Sequence, residues 1–311
     1  MQAVFLDQQT FSANVELKVI ENQASSLTCF SLTHPNQVIE RAINADIIIT
    51  NKVILNEQLL AQLPNLKLIC IAATGTNNVD IVAAKKLNIA VTNVSGYAKN
   101  SVAQYVFAQM LEYYSQVTHH NNNVEQGQWQ QSPSFCFHGD GSKELAEKTL
   151  GLIGYGGLAK AVEEIALAFN MKVIIAERPN ALSLRTGRTA FHDVVKQADV
   201  LSLHCPQTTE TENLINASVF QQMKSSAMLI NTARGAIINE IDLLYALQNK
   251  DIAYAVLDVL SQEPPPNTHP LLLKHPENLK ITAHIAWASI ESQQRLINLV
   301  AANIQNFTQS R

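Results

Sequence analysis

The apolar run Leu150-Gly151-Leu152-Ile153, closed by Gly154-Tyr155-Gly156-Gly157-Leu158-Ala159, constrains this chain more than any other stretch. A helix-compatible segment, Lys160–Phe169, follows it, and a second apolar run, Lys172–Ala176, ends in Glu177 and Arg178. Strand, glycine turn, helix, strand and acidic tip in that order describe a βαβ unit built around an anion. Gly154 permits a turn that a Cβ would obstruct, and Gly156 lets the backbone approach a pyrophosphate. The amides that open the helix face the same anion. Ala159 fills the third position of the pattern, where a small residue lets helix pack on strand. Glu177 falls where a carboxylate would accept hydrogen bonds from an adenosine ribose. A glycine pattern alone is weak evidence, but the flanking elements favour a dinucleotide seat over a turn without a ligand.

The bulk properties narrow the class. At 311 residues the chain is comfortable as two domains, and a net charge of −4 argues against a broad nucleic-acid footprint. No block of like charge suggests a membrane-surface helix. The first apolar run, Ala3–Leu6, is strand-like and too short for a signal sequence, which argues against secretion and for a cytoplasmic protein. Cys29, Cys70, Cys136 and Cys205 show no CxxC spacing, so neither a metal site nor a disulfide framework is expected. The adjacent His119 and His120 point in different directions on a helix and read as a solvated helix end, not as ligands.

Short apolar runs alternate with helical stretches from end to end, the pattern of parallel α/β layering. Strands are predicted at Ala3–Leu6, Asp46–Thr50, Leu66–Ile71 and Ile89–Thr92, then at Thr149–Ile153, Lys172–Ala176, Asp199–Leu203, Ala227–Asn231, Tyr254–Asp258 and Leu279–Thr282. Ser101–Tyr114 reads as a long apolar helix and the polar stretch Thr118–Ser142 as an irregular excursion whose Trp129 and Phe135 anchor it to a surface. The last helix, Ser289–Phe307, can return to the first unit. The expected fold is α/β with two doubly wound parallel-sheet domains: residues 1–97 with 289–311 for substrate, and residues 98–288 for cofactor.

Three further segments place polar groups at strand ends, where packing does not require them. In Asn231-Thr232-Ala233-Arg234-Gly235 a guanidinium offers paired donors to a carboxylate. In Asp258–Pro265, Asp258 ends a strand and Glu263 precedes a proline that fixes its direction. In Thr282–Trp287, His284 lies just past the last apolar run. A lone histidine there is more often structural than catalytic; a carboxylate that orients it, Glu263, would make it an acid near neutral pH. Arginine for a carboxylate, imidazolium for a forming alkoxide and glutamate for the imidazolium are the set that hydride transfer to an α-keto acid needs.

With these motifs in view, the sequence resembles the D-isomer-specific 2-hydroxyacid dehydrogenases over nearly its whole length. Ala73-Thr74-Gly75-Thr76-Asn77-Asn78-Val79-Asp80, the 154–159 turn, Asn231–Gly235, Asp258–Pro265 and Thr282–Trp287 carry the likeness, in the family's order. The resemblance implies a Rossmann-type cofactor domain and a flavodoxin-like substrate domain, with catalysis by Arg234, Glu263 and His284 in a cleft that closes and excludes water. It implies cofactor contacts from Gly154, Tyr155, Gly156, Gly157, Leu158, Glu177, Arg178, His204, Cys205, Pro206, Thr211, Thr232, Ala233, Arg234, Asp258, His284 and Ala286. Asn51, Lys52, Thr74 and Gly75 would join Arg234 and His284 on the substrate. Glu177 favours NAD over NADP, and Arg178 beside it favours the reverse; NAD is the expectation. A homodimer is implied, with no metal.

Within the family, Ala72–Asn78, Gln130–Cys136 and His284–Ser289 are similar to the glycerate dehydrogenase, or hydroxypyruvate reductase, branch. The expected reaction is therefore hydroxypyruvate to D-glycerate, with glyoxylate as a second substrate. The alternatives are another keto acid (pyruvate, branched-chain or phosphohydroxypyruvate) or a non-catalytic NAD(H)-sensing, corepressor-like protein. Ala283 stands where the family usually has proline, leaving that loop less rigid, and Gln104 where it often has glutamate. The chain ends soon after its last helix, which is expected to omit the regulatory domain of many phosphoglycerate dehydrogenases.

Overall fold

Two parallel sheets hold all eleven strands found among the described residues, 1–139 and 141–310 of a computed structural model. By its contacts the chain divides into a unit of Met1–Ala98 with Trp287–Arg311 and a unit of Lys99–Ala286.

The first unit has the sheet order β2-β1-β3-β4-β5, with β1 at Gln2–Phe5, β2 at Ser26–Cys29, β3 at Ile47–Thr50, β4 at Leu68–Ile71 and β5 at Ala90–Thr92. Its short helices are α1 (Lys18–Glu21), α2 (Val38–Ala42), α3 (Glu57–Leu60) and α4 (Ile81–Lys86). β3 and β4 are buried at every position, as strands covered on both faces must be. That explains why their runs of isoleucine and leucine were legible. β2 was not predicted: Ser-Leu-Thr-Cys is mostly exposed on the sheet edge and carries no apolar run.

The second unit has the order β11-β10-β9-β8-β6-β7. Its strands are β6 (Thr149–Ile153), β7 (Lys172–Ile175), β8 (Val200–Leu203), β9 (Met228–Asn231), β10 (Tyr254–Leu257) and β11 (Leu279–Ile281). Helices α5 (Lys99–Ser115), α6 (Val117–Glu125), α7 (Gly157–Ala168), α8 (Phe191–Gln197), α9 (Ala217–Phe220), α10 (Glu240–Gln248) and α11 (Pro270–Lys274) complete it. The reading of Thr118–Ser142 as irregular throughout is corrected by α6, a polar helix that hydropathy periodicity does not reveal. Nor does the chain itself anchor both aromatics of that stretch: Phe135 is 89% exposed and Trp129 50%.

The last helix, α12 (Ile290–Gln309), belongs to the first unit and packs on α1 and β4. Leu296, Ile297, Val300, Ala301 and Ile304 form its buried stripe at helical spacing. Its Gln293 and Gln294 side-chain oxygens accept from the amides of Ser12 and Glu16 at 2.7 and 2.8 Å, tying it to the start of the chain. Among the described residues, no helix is long and apolar enough to cross a membrane.

Both sheets change winding direction once, between β1 and β3 in one and between β6 and β8 in the other. Crevices for ligands open at the carboxyl ends of strands at such points. The loops that leave β6 and β8 are the Gly154 turn and His204-Cys205-Pro206.

Candidate active site

Gly154 has φ +85°, and a Cβ there would lie 2.6 Å from the Cys205 nitrogen. Both facts demand glycine, and the second shows that the turn packs directly on the strand end at His204-Cys205. Gly156 differs. It caps α7 in an extended conformation, with no side chain capping the helix, and a Cβ added to it or to Gly157 would meet nothing within 4 Å. No protein atom therefore explains glycine at these two positions. The room beside them, faced by the uncapped amides of a twelve-residue helix, is what a pyrophosphate requires. Two buried polar atoms without a partner, His204 Nδ1 and Thr232 Oγ1, lie on the loops leaving β8 and β9. Buried polar atoms of this kind call for a ligand or water. These residues fit a dinucleotide.

His204 itself donates or accepts at Nε2 with Ser202 Oγ, 2.9 Å away. Burial pushes its imidazole down to about 4, so it is neutral at physiological pH. Thr211 is turned into its own loop, its Oγ1 donating to Pro206 O at 2.7 Å and accepting from Thr208 N at 2.8 Å.

Glu177 departs from the expectation that its carboxylate is open to a ribose. Arg185 holds it with Nη2 to Oε1 at 2.6 Å and Nε to Oε2 at 2.8 Å. The amides of Arg178 and Arg185 donate to Oε1 and Oε2 at 2.9 and 3.1 Å. Chiefly through Arg185, the carboxyl is held down at about 2. Nothing in the sequence pointed to Arg185, which lies in an aperiodic loop eight residues beyond its partner.

The loops after β9, β10 and β11 carry the candidate catalytic groups. His284 Nδ1 and Glu263 Oε2 are 2.7 Å apart, with the two side chains 25% and 35% exposed. Glu263 Oε1 also accepts from the Leu260 amide at 3.0 Å, which fixes the carboxylate from its own loop. The peptide bond from Glu263 to Pro264 is cis. Arg234 is half-buried on the loop after β9, and its Nη1 donates to Ala233 O at 2.7 Å. At Gly235 a Cβ would lie 1.9 Å from the Leu260 carbonyl carbon, so the loop bearing Arg234 and the loop bearing Glu263 touch through backbone.

Asp258 is 1% exposed. Its Oδ1 accepts from Thr282 Oγ1 at 2.6 Å and from the Ile285 amide at 2.8 Å, and its Oδ2 from the Ala286 amide at 2.8 Å. The carboxylate is thus the clamp of the loop carrying His284, whose φ is +56°. A left-handed histidine persists only where its surroundings over-determine it, and the bonds on both sides of it do so. Tyr105 of α5 extends the clamp, its hydroxyl 2.5 Å from Thr282 Oγ1; burial pushes this phenol up to about 12. Sequence reasoning missed Tyr105.

In the first unit, Asn51 and Lys52 leave β3 at its carboxyl end, where Asp7 leaves β1. The Asp7 carboxylate is 2% exposed and accepts from the amides of Asn51 at 2.9 Å and Lys52 at 2.6 Å. Burial raises its pKa against these bonds. Asp7 was also missed, although an acid directly after Ala3–Leu6 is a legible signal. Thr74 Oγ1 donates to Val94 O at 3.0 Å, and Asn93 Nδ2 to Thr74 O at 2.8 Å, so the Thr74-Gly75 loop is braced within its own unit.

Comparison with known proteins agrees with this geometry. The family profile of the D-isomer specific 2-hydroxyacid dehydrogenase NAD-binding domain matches residues 107–286. A Haemophilus influenzae protein, named only to the level of 2-hydroxyacid dehydrogenase, is 41% identical, covering 99% of this chain and 98% of its own. A glycerate dehydrogenase of Methylorubrum extorquens is 37% identical, covering 98% of this chain and 96% of its own. The TT0316 protein of Thermus thermophilus superposes with a TM-score of 0.85 at 28% identity, over 100% of this chain and 98% of that one. The chain belongs to the D-isomer specific 2-hydroxyacid dehydrogenases, oxidoreductases with an NAD-binding domain.

Proposed function

We propose that this protein reduces hydroxypyruvate to D-glycerate with NADH, and takes glyoxylate as a second substrate. The observation that carries a catalytic reading is the 2.7 Å contact between His284 Nδ1 and Glu263 Oε2. With Nδ1 committed to the carboxylate, Nε2 is the nitrogen left to hold a proton for the substrate oxygen. Glu263 then balances the imidazolium before that proton leaves. Arg234 holds the substrate carboxylate through two parallel donors and orients the carbonyl. The bound nicotinamide supplies the hydride. Asp258 keeps the histidine loop in place without touching the reacting atoms. The same reading gives Asn51, Lys52, Thr74 and Gly75 to the substrate.

The choice of hydroxypyruvate is supported by the motifs at Ala72–Asn78, Gln130–Cys136 and His284–Ser289, and by the name of the glycerate dehydrogenase relative. Association into a homodimer is supported by the family resemblance and by the exposed Phe135 and Trp129.

NADH oxidation measured in parallel against hydroxypyruvate, glyoxylate, pyruvate and 3-phosphohydroxypyruvate tests the proposal. Hydroxypyruvate is expected to give the highest kcat/KM. A higher value for pyruvate or the phosphorylated acid would overturn the substrate, and no turnover with any would overturn the activity. His284→Ala and Arg234→Ala are each expected to lower kcat by about 10²–10⁴ while NADH still binds. Near-normal turnover in either variant would remove that residue's role.

A further inference from the structure

The Glu177 carboxylate has two oxygens and about four acceptor positions. Two donors reach each oxygen: Arg178 N and Arg185 Nη2 on Oε1, Arg185 N and Arg185 Nε on Oε2. The residue is 4% exposed. A carboxylate so filled and so covered has nothing left for two ribose hydroxyls, the contact by which an acid at this strand tip selects an unphosphorylated ribose.

The group that covers it faces the opposite way. The Arg185 side chain is 59% exposed, and it lines a cavity of about 460 Å³ with Arg178, Asn180, Ser183 and Glu210. Arg178 is exposed and lies one residue past Glu177. A third guanidinium supports the same corner: Arg188 stacks over the Tyr155 ring at 4.7 Å and donates to Ala176 O at 3.4 Å. Tyr155 belongs to the glycine turn, so Arg188 links that turn to the strand end that carries Glu177 and Arg178. Glu177 and Glu210 are the carboxylates of the cavity lining, and the first is neutralised by Arg185.

We propose that Arg185 sets the cofactor range of this enzyme: by closing over Glu177 it removes the discrimination against a phosphorylated ribose, and together with Arg178 it offers donors to a 2′-phosphate. The protein consequently accepts NADP(H) alongside NAD(H). Selection at this corner is a property of the ion pair and not of the acidic residue alone. A planar guanidinium pinned along one edge by a carboxylate keeps its remaining N–H groups directed outward, an arrangement suited to a phosphate.

The inference rests on the dinucleotide seat but not on which keto acid is reduced, so its test uses no substrate. Binding of 5′-AMP and of adenosine 2′,5′-bisphosphate to the full chain is measured by titration calorimetry, with NADH and NADPH titrated beside them. The wild-type protein is expected to bind the bisphosphate at least as tightly as AMP, and NADPH within about tenfold of NADH. Arg185→Ala is expected to weaken the bisphosphate by about tenfold or more and to strengthen AMP, because it uncovers Glu177. Arg178→Ala leaves the ion pair in place, so it tests the phosphate donors without removing the cover on Glu177; it is expected to weaken the bisphosphate by a larger factor than AMP.

A wild-type preference for AMP of about a hundredfold or more would overturn the proposal, as would an unchanged ratio in Arg185→Ala. Failure of all four nucleotides to bind would overturn it together with the seat on which it depends. Failure of hydroxypyruvate to turn over, with both nucleotides bound, would strike only the substrate assignment.

Discussion

His204 shows how a single buried group ties stability to pH. Its folded-state pKa lies at about 4, below the ordinary imidazole value near 6.5, because burial disfavours the charged ring. Below the ordinary value the unfolded chain takes up a proton that the folded one refuses. Stability supplied above pH 6.5 is therefore lost as pH falls toward about 4. Unfolding temperature measured from pH 7 to 4 should fall less steeply in His204→Gln than in the wild-type protein. Parallel curves would mean that the ring takes up its proton equally in the folded and unfolded states. The residue scale also separates what pattern reading reaches from what it does not. Arg234, Asp258 and His284 stood out as candidates because each follows closely on an apolar run, and Glu263 because a proline follows it. Asp7 obeys the same logic and was overlooked. The His284–Glu263 contact itself came only with the fold. Arg185 and Tyr105 were beyond reach, since one lies in an aperiodic loop and the other on an apolar helix, and only the folded chain brings them to Glu177 and Thr282.

Among elements, the loops after β9 and β10 depend on one missing side chain. Backbone atoms of Leu260 and Ser261 occupy the space a Cβ on Gly235 would need, at 1.9 and 2.2 Å. No flexible side-chain tip can give way there. Gly235→Ala is expected to cost about 1–3 kcal/mol in denaturant unfolding and to lower kcat through the displaced Glu263 loop. NADH binding should change less than kcat, because the glycine turn after β6 is separate. Unaltered stability and turnover would show that the loops are not held by this contact. The strands were legible where both faces are covered, as in β3, β4, β8 and β9, since continuous apolar runs then mark them. β2 and α6 escaped for the converse reason: an exposed edge strand and a polar helix bury too little to leave a periodic trace.

For the molecule as a whole, each unit has its own apolar core. Ile48, Leu60, Ile69 and Ile71 lie in one, and Val194, Leu201, Leu229 and Leu257 in the other. Two cores permit two unfolding transitions, and a ligand that binds one unit raises the transition of that unit. NADH at about 100 times its dissociation constant should stabilise Lys99–Ala286 by about 2.7 kcal/mol. Scanning calorimetry with hydrogen exchange should localise that gain to the second unit. Equal protection of both units would show that they unfold as one body. The doubly wound plan was readable from the alternation of apolar runs and helical stretches, because that alternation runs through the whole chain. The crevice chemistry of the first unit was less so, since Asp7 and Asn51 meet only once β1 and β3 pair.

The placement of α12 also bears on biosynthesis. A ribosome delivers β1 through β5 early, yet the helix that buries Leu296, Ile297 and Val300 against that unit emerges only after Lys99–Ala286 has been made. At roughly 5–20 residues per second, the interval is on the order of ten to forty seconds. Throughout it the nascent first unit lacks one wall of its core, while the second unit is still being made. A stalled or prematurely terminated message would thus leave exposed apolar surface on the earliest-made segment, the part a chaperone would have to shield longest.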